Sequence, residues 1–280
     1  MTYFKYITHI FIIFLFFLFI SCQKYLEENP TVFASPSEIL TNEAGAELYT
    51  IGNYAQIKAI ASDWDGWLLM WGTIAADEIV IPNWGADIRS IYLHSFTTSN
   101  NSILNVWTTL YRSINRVNSG IQKIGAMTTD QIDENAKNKF IGEHKYLRAM
   151  LYFCLVSSWE NVPLVLNESQ SEDIGNFEVS QSSCKDVYES IIEDLLYAES
   201  VLSEEQGNGR ATKGAADGLL AKTYLYQENW AQAKAQCEVV MNSGLYGLEP
   251  NYSDVFSSAK QWGQEVVYSL HMVEDPDGNW

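Results

Sequence analysis

A mostly α-helical fold, built from helical hairpins with long irregular loops, is predicted by three observations. From residue 103 onward, apolar residues recur at three- and four-residue spacing over most of the chain. Capping residues punctuate these runs: Ser183 with Asp186 three positions later, Asn229, and the Ser243-Gly244 pair. Small residues such as Ala221 and Ala233 lie where two helices of a hairpin must approach closely. The composition can supply a core, since 47 % of the 280 residues are hydrophobic and only 19 % are charged.

The N-terminus reads as an address. Lys5 is the only charged residue before position 22, and an unbroken apolar run, Ile10 to Ile20, follows it. Eleven residues at 1.5 Å rise cover about 16 Å, against roughly 30 Å of bilayer core, so a signal peptide over 1–21 is expected rather than a spanning helix. Cys22 directly follows Ser21, and Phe19-Ile20-Ser21-Cys22 resembles a bacterial lipobox, in which the cysteine thiol is acylated. Cys22 is therefore the expected lipid attachment site and membrane anchor. Residues 22–36 read as a tether, with Pro30 and Pro36 disfavouring helix.

Residues 37–61 look helical. Residues 62–101 look irregular and are rich in Trp, Asp, Gly and Asn. Loops this long inside a globular chain are usually functional. A helix from 103 carries Ile103, Trp107, Leu110, Ile114, Val117, Ile121 and Ile124 on one face. A second, over roughly 130–159, carries Ile132, Ala136, Phe140, Leu147, Leu151 and Leu155, and Asn161-Val162-Pro163 ends it. The helix after Ser183 buries Val187, Ile191, Leu195, Ala198 and Leu202. Residues 212–243 form a helical hairpin with Ala216, Leu220 and Tyr224 on one stripe and Ala233, Cys237, Val240 and Met241 on the other. Leu220-Ala221, Tyr224, Ala233 and Val240 fit the 34-residue tetratricopeptide pattern. Residues 264–272 alternate like a short strand. Cys154, Cys184 and Cys237 fall in helical patterns and read as small core fillers, without disulfide or metal spacing.

Charge narrows the partners. With 17 Lys+Arg against 35 Asp+Glu the net charge is −18, which repels phosphate backbones and excludes general nucleic-acid binding and a polybasic lipid anchor. No nucleophile elbow, phosphate loop, dinucleotide fingerprint or zinc-binding His pair is present, so no catalytic residue, metal or cofactor is expected. His144, in a helical run, reads as a satisfied structural histidine. The pairs Asp63/Asp65 and Asp77/Glu78 keep a glycoside hydrolase open as an alternative. Asp275 to Asn279 hints at a calcium loop, but its glycine is misplaced and a terminal Glu is absent, so a solvated turn is preferred.

Aromatics reach 13 %, with 9 Trp and 16 Tyr. Sugar capture needs a flat ring for the apolar sugar face and fork-like polar groups for hydroxyls. Within 62–101, Trp84 beside Pro82, Asn83 and Gly85, with Arg89 following and Asn100 and Asn101 closing the segment, meets that need. Trp84, Arg89 and Asn101 are the candidate ligand-binding residues. Packing over the helices is the competing role for Trp84 and the preferred one for Trp64, Trp67 and Trp71, while Trp107 and Trp230 fall on core phases.

Four stretches together carry a resemblance. They are Ser21-Cys22 with Lys24 to Pro30; Trp107-x3-Tyr111-x2-Ile114-x3-Asn118; Tyr146-Leu147-Arg148-Ala149-x2-Tyr152-Phe153 with Val162-Pro163-Leu164; and Ala211 to Ala216 with Leu219 to Leu225. With them the chain resembles the SusD/RagB family of nutrient-uptake outer-membrane lipoproteins. The resemblance implies a surface-exposed, lipid-anchored protein on tetratricopeptide-like helices. Such a protein binds oligosaccharide, polysaccharide or a related nutrient and delivers it to a SusC-like TonB-dependent transporter. It implies a ligand site drawing on loops in the 62–101 region. Family chains are much longer, so residues 37–280 are expected to be the N-terminal helical domain, incomplete at its C-terminus. A tetratricopeptide-type interaction scaffold without its own ligand is the main alternative.

Overall fold

The computed structural model describes residues 36–62, 66–76, 79–81, 84–169, 179–204, 209–260 and 262–270. The signal segment, Cys22, nearly all of the tether, Trp64, the two acid pairs and the Asp275–Asn279 turn lie outside the described residues. The chain divides into a leading unit, Met1–Glu38, and a main unit, Ile39–Trp280. Of the leading unit only the turn beginning at Pro36 is described.

The main unit is helical throughout its regular structure. Helix α1 spans Glu43–Ser62 and α2 spans Ala86–Tyr92. The long helices α3, Asn101–Gly125, and α4, Glu134–Trp159, follow. Helices α5, Cys184–Val201, α6, Lys213–Tyr226, and α7, Trp230–Asn242, complete the series. Consecutive helices pack pairwise, α3 on α4, α4 on α5, α5 on α6 and α6 on α7, and α1 lies against both α3 and α4. The caps form as their chemistry requires. Asn100 accepts from Ile103 N–H, Asp133 from Asn135 and Ala136, Ser183 from Asp186, Thr212 from Ala215 and Asn229 from Gln232. Gly244, at φ 72°, supplies the left-handed residue just beyond α7.

The core follows the predicted stripes through α3, α4 and α5. Leu110, Ile114, Val117, Leu147, Leu151, Leu155, Ile191, Leu195 and Ala198 are all buried in one cluster. Ile132 and Phe140 join Leu40, Ala46, Ile124 and Met127 in a second.

Charged groups tie these layers together. Arg148 of α4 makes a two-pronged pair with Asp194 of α5, Nε to Oδ2 at 2.7 Å and a terminal nitrogen to Oδ1 at 2.9 Å. Its other terminal nitrogen donates to Asn118 Oδ1 of α3 at 2.9 Å and to Leu166 O at 3.0 Å. Arg210, just before α6, is paired with Glu143 of α4 and Glu47 of α1, and Tyr54 of α1 donates to the same Glu143. A buried charge left without its partner costs several kcal/mol, so these groups fix the register between layers.

Residues 162–169 form an extended strap across α3 and α4. Tyr111 donates to Pro163 O, Tyr152 both donates to Val165 O and accepts from Val165 N–H, and Asn118 donates to Val165 O and Asn167 O. Asn115 exchanges two bonds with the Ser169 backbone. Side chains thus do for the strap what a neighbouring strand does in a sheet.

Four expectations need correction. Residues 264–270 form no strand. Val266 N–H turns back to Gly263 O, and Gly247 N–H to Gln264 O is a lone backbone bond, so the alternating pattern finds no strand to pair with. Helix α7 buries only Ala233; Met241 is 66 % exposed, Cys237 is exposed and Val240 is half-buried, because α7 packs on α6 alone among the described elements. Trp230 is 62 % exposed and is not a core residue. Of the three described cysteines, all free, Cys154 and Cys184 pack half-buried against the core, and Cys237 is exposed rather than a core filler. The 62–101 stretch is also more ordered than its composition suggests. Beyond α2, it contains a turn, Trp67–Leu69, running into a π-helical turn, Met70–Ile74, whose Met70 and Ile74 reach the core.

Candidate functional site

The three candidate ligand residues gather at the corner where α2 meets α3. Gly85 precedes α2 with φ 87° and ψ 163°, a conformation open essentially to glycine alone, and this sets the direction in which Trp84 leaves the turn. Trp84 is half-buried and one side packs on the core cluster with Ile88 and Tyr92. Arg89 is exposed, with no hydrogen bond or ion pair from its side chain among the described residues.

Asn101 is committed to structure. Its amide donates to Asp87 Oδ2 at 3.1 Å and its backbone N–H meets the same oxygen at 3.3 Å. Asn100 reinforces the corner, donating to Asp87 O at 2.9 Å and to Ser90 Oγ at 3.0 Å. Asp87 and Arg89 are two residues apart on α2, so their side chains leave it in nearly opposite directions. Trp84 thus lies just before α2 and Arg89 within it, while Asn101 braces the corner through Asp87.

A second aromatic feature was missed by the sequence reasoning, which assigned Trp107 to the core. Trp107, Tyr111 and Asn115, at four-residue steps on α3, form one wall of an open cavity of about 500 Å³ whose other wall is Pro163, Val165 and Ser169 of the strap. Trp107 stands edge-on to Trp159 at 5.2 Å, and Trp159 edge-on to Trp71 at 5.9 Å. The legible signal was the i, i+4, i+8 ridge of two rings and an amide. The polar groups there are largely spent, with Tyr111 on Pro163 and Asn115 on Ser169. Burial and the neighbouring Tyr152 push the Tyr111 phenol well above its ordinary range.

His144 is a structural residue. Asn53 donates to Nε2 at 2.9 Å, and Nδ1 faces Phe140 O at 2.8 Å, a pattern that fits the neutral ring with its proton on Nδ1. Burial, with Arg210 nearby, holds its pKa down at about 4. Among the described residues, no group of three or more His, Cys, Asp or Glu side chains is placed to hold a metal ion. No described helix is long and apolar enough to cross a membrane.

Comparison with known proteins bears on this geometry. Residues 24–225 match the SusD-like family model described as starch-binding and associating with the outer membrane. The chain is 25 % identical over 286 residues to SusD-like protein P25 of Formosa agariphila, covering 96 % of this chain and 52 % of that protein. It is 32 % identical over 196 residues to a SusD-like protein of Bacteroides ovatus, covering 66 % and 35 % respectively. Among solved structures, a SusD superfamily protein from Bacteroides vulgatus superposes with a TM-score of 0.75 at 26 % identity, over 82 % of this chain and 50 % of that one. A structure described as a laminarin-binding SusD-like protein superposes with a TM-score of 0.73 at 26 % identity, over 81 % and 51 %. The chain thus spans about half the length of the Formosa relative and of both solved structures, and about a third of the Bacteroides ovatus protein. The motif residues Tyr111, Asn118, Arg148 and Tyr152, all inside the matched span 24–225, are those that hold the strap. The chain belongs to the SusD-like (SusD/RagB) family.

Proposed function

We propose that this protein is a surface lipoprotein that captures oligosaccharide and hands it, unbroken, to a SusC-like TonB-dependent transporter in the outer membrane. The observation that carries this is the family match over 24–225, together with the fold shared with a laminarin-binding SusD-like protein. In this reading residues 1–21 are the signal peptide and Cys22 carries the lipid. Residues 22–36 are the tether, and 37–280 make up the SusD-like N-terminal helical portion. The helical hairpins are tetratricopeptide-like units, and one face of their array docks on the transporter.

The corner at α2 supplies the capture chemistry. Trp84 packs half-buried against the core, which holds the ring still, and is the ring on which a sugar stacks. Arg89 offers an uncommitted set of N–H donors to hydroxyls. Asn101 acts through Asp87, holding α2 against the start of α3. No residue in this scheme attacks or protonates a glycosidic bond.

Affinity electrophoresis and calorimetry against starch and laminarin, with a reducing-end assay alongside, test the proposal. Retardation by at least one glucan without release of reducing ends is the expected result. A folded protein that no polysaccharide retards, or one that releases reducing ends, overturns it.

A further inference from the structure

Away from the α2 corner, α1, α4, α6 and residues 268–270 enclose a cavity of about 480 Å³. Ile57, Met150 and Leu219 give it aliphatic walls, and Phe153, Tyr146 and Tyr268 aromatic ones, the Tyr268 hydroxyl being buried without a hydrogen-bond partner among the described residues. The Trp67 indole also borders it, but its N–H is already spent on Cys154 O at 3.1 Å and Ser158 Oγ at 2.8 Å. A sugar placed here would leave most of its hydroxyls without partners, at a cost of about 1–3 kcal/mol for each buried group. Beyond the Tyr268 hydroxyl and Ser269, the described lining offers such hydroxyls few neutral partners.

One charge stands at its mouth. Lys222, exposed on α6 one turn from Leu219, is the single charged side chain lining the cavity among the described residues. Its ammonium lies 5.1 Å from the centroid of the Phe153 ring. Among the described residues no carboxylate lies within ion-pairing distance of it, although acids outnumber bases two to one in the whole chain. The half-buried Cys154 also lines the cavity wall.

A largely apolar chamber of this size, with one cation at the rim that no described carboxylate pairs, matches one ligand class. The body must be hydrophobic, the end anionic, and a cationic or neutral head gains nothing from Lys222. We propose that this cavity binds an amphiphilic carboxylate, its alkyl chain between α4 and α6 and its carboxylate on Lys222. This site is independent of the glycan reading, since no sugar and no residue of the α2 corner takes part.

Decanoate, decanol and decyltrimethylammonium, each below its micellar concentration, serve as probes in calorimetry on the whole 280-residue chain. Decanoate is expected to bind one-to-one and at least tenfold more tightly than decanol or the ammonium. Lys222→Met is expected to weaken decanoate at least tenfold and leave decanol within twofold, and Lys222→Arg to retain decanoate binding. Lys222 is exposed, so a circular-dichroism melt of each variant should match the parent. No decanoate binding to the parent, equal affinity for decanoate and decanol, or equal loss of both in Lys222→Met overturns the proposal.

Discussion

The α3–α4–α5 array and the α2 corner are held together by opposite means. In the array, Arg148, Asp194 and Asn118 are buried, and each bonds to an element distant in sequence. At the corner, Asp87, Ser90, the buried Asn100 and the exposed Asn101 form local polar contacts across no more than 14 residues, without a charged pair, and Arg89 contributes to none of them. A buried charged network is costly to break, whereas a local cap and turn can be altered for about 1 kcal/mol or less. The scaffold is built where change is expensive, and the proposed ligand chemistry where change is cheap.

Arginine substitutions sharpen this contrast most. Arg148→Met leaves the buried Asp194 with only Lys145 and removes the hold on Leu166 O, so unfolding in urea should show a loss of about 3–5 kcal/mol. Arg89→Met should stay within about 0.5 kcal/mol of the parent. Similar losses in both would break the comparison.

Acid should act on the array through His144. Its folded pKa, about 4, lies below the ordinary histidine value near 6.5, so the unfolded chain takes up the proton first. The stability from burying the neutral ring is fully present above about pH 6.5. It is lost progressively as the pH falls towards 4, to a total of about 3 kcal/mol. Unfolding free energies measured from pH 7 to 4 for the parent and for His144→Gln check this, the variant showing the shallower slope over that window.

Glycines give smaller effects with different causes. A Cβ on Gly120 of α3 would lie 2.2 Å from His144 Nε2, so Gly120→Ala forces the packed ring to move, at about 1–3 kcal/mol. A Cβ on Gly85 meets nothing within 4 Å, and Gly85→Ala costs about 1–2 kcal/mol through its positive φ alone. Thermal melts at neutral pH should separate them further when combined with His144→Gln. That change should alter the Gly120→Ala penalty and leave the Gly85→Ala penalty unchanged.

Much of the array was legible because periodicity records which face of a helix needs burial. Leu110, Leu147 and Ile191 were placed from spacing alone, and Ser183 and Asn229 from capping chemistry. Periodicity does not record whether a neighbour is there to cover that face, which is why Met241 and Trp230 came out exposed and 264–270 unpaired. Nor does it record contacts between residues 30 to 46 apart in sequence, so the joint role of Arg148, Asp194 and Asn118 was invisible even with Arg148 inside a recognised motif. At the corner, composition singled out the segment that carries Trp84 and Arg89. The sequence could not show that Asn101 is spent on Asp87, because that bond depends on how α2 docks against the start of α3.

The claim that sugar is captured at the α2 corner is tested most directly by Trp84→Ala, measured by calorimetry against the glucan that retards the parent and by thermal melting. A stacked tryptophan contributes roughly 1–3 kcal/mol against a ligand face, so binding should weaken about 5- to 150-fold. The melting temperature should fall by only a few degrees, since Trp84 is half-buried and sits outside the charged braces of the array. Unchanged affinity with a large drop in melting temperature would contradict the account and make Trp84 a packing residue.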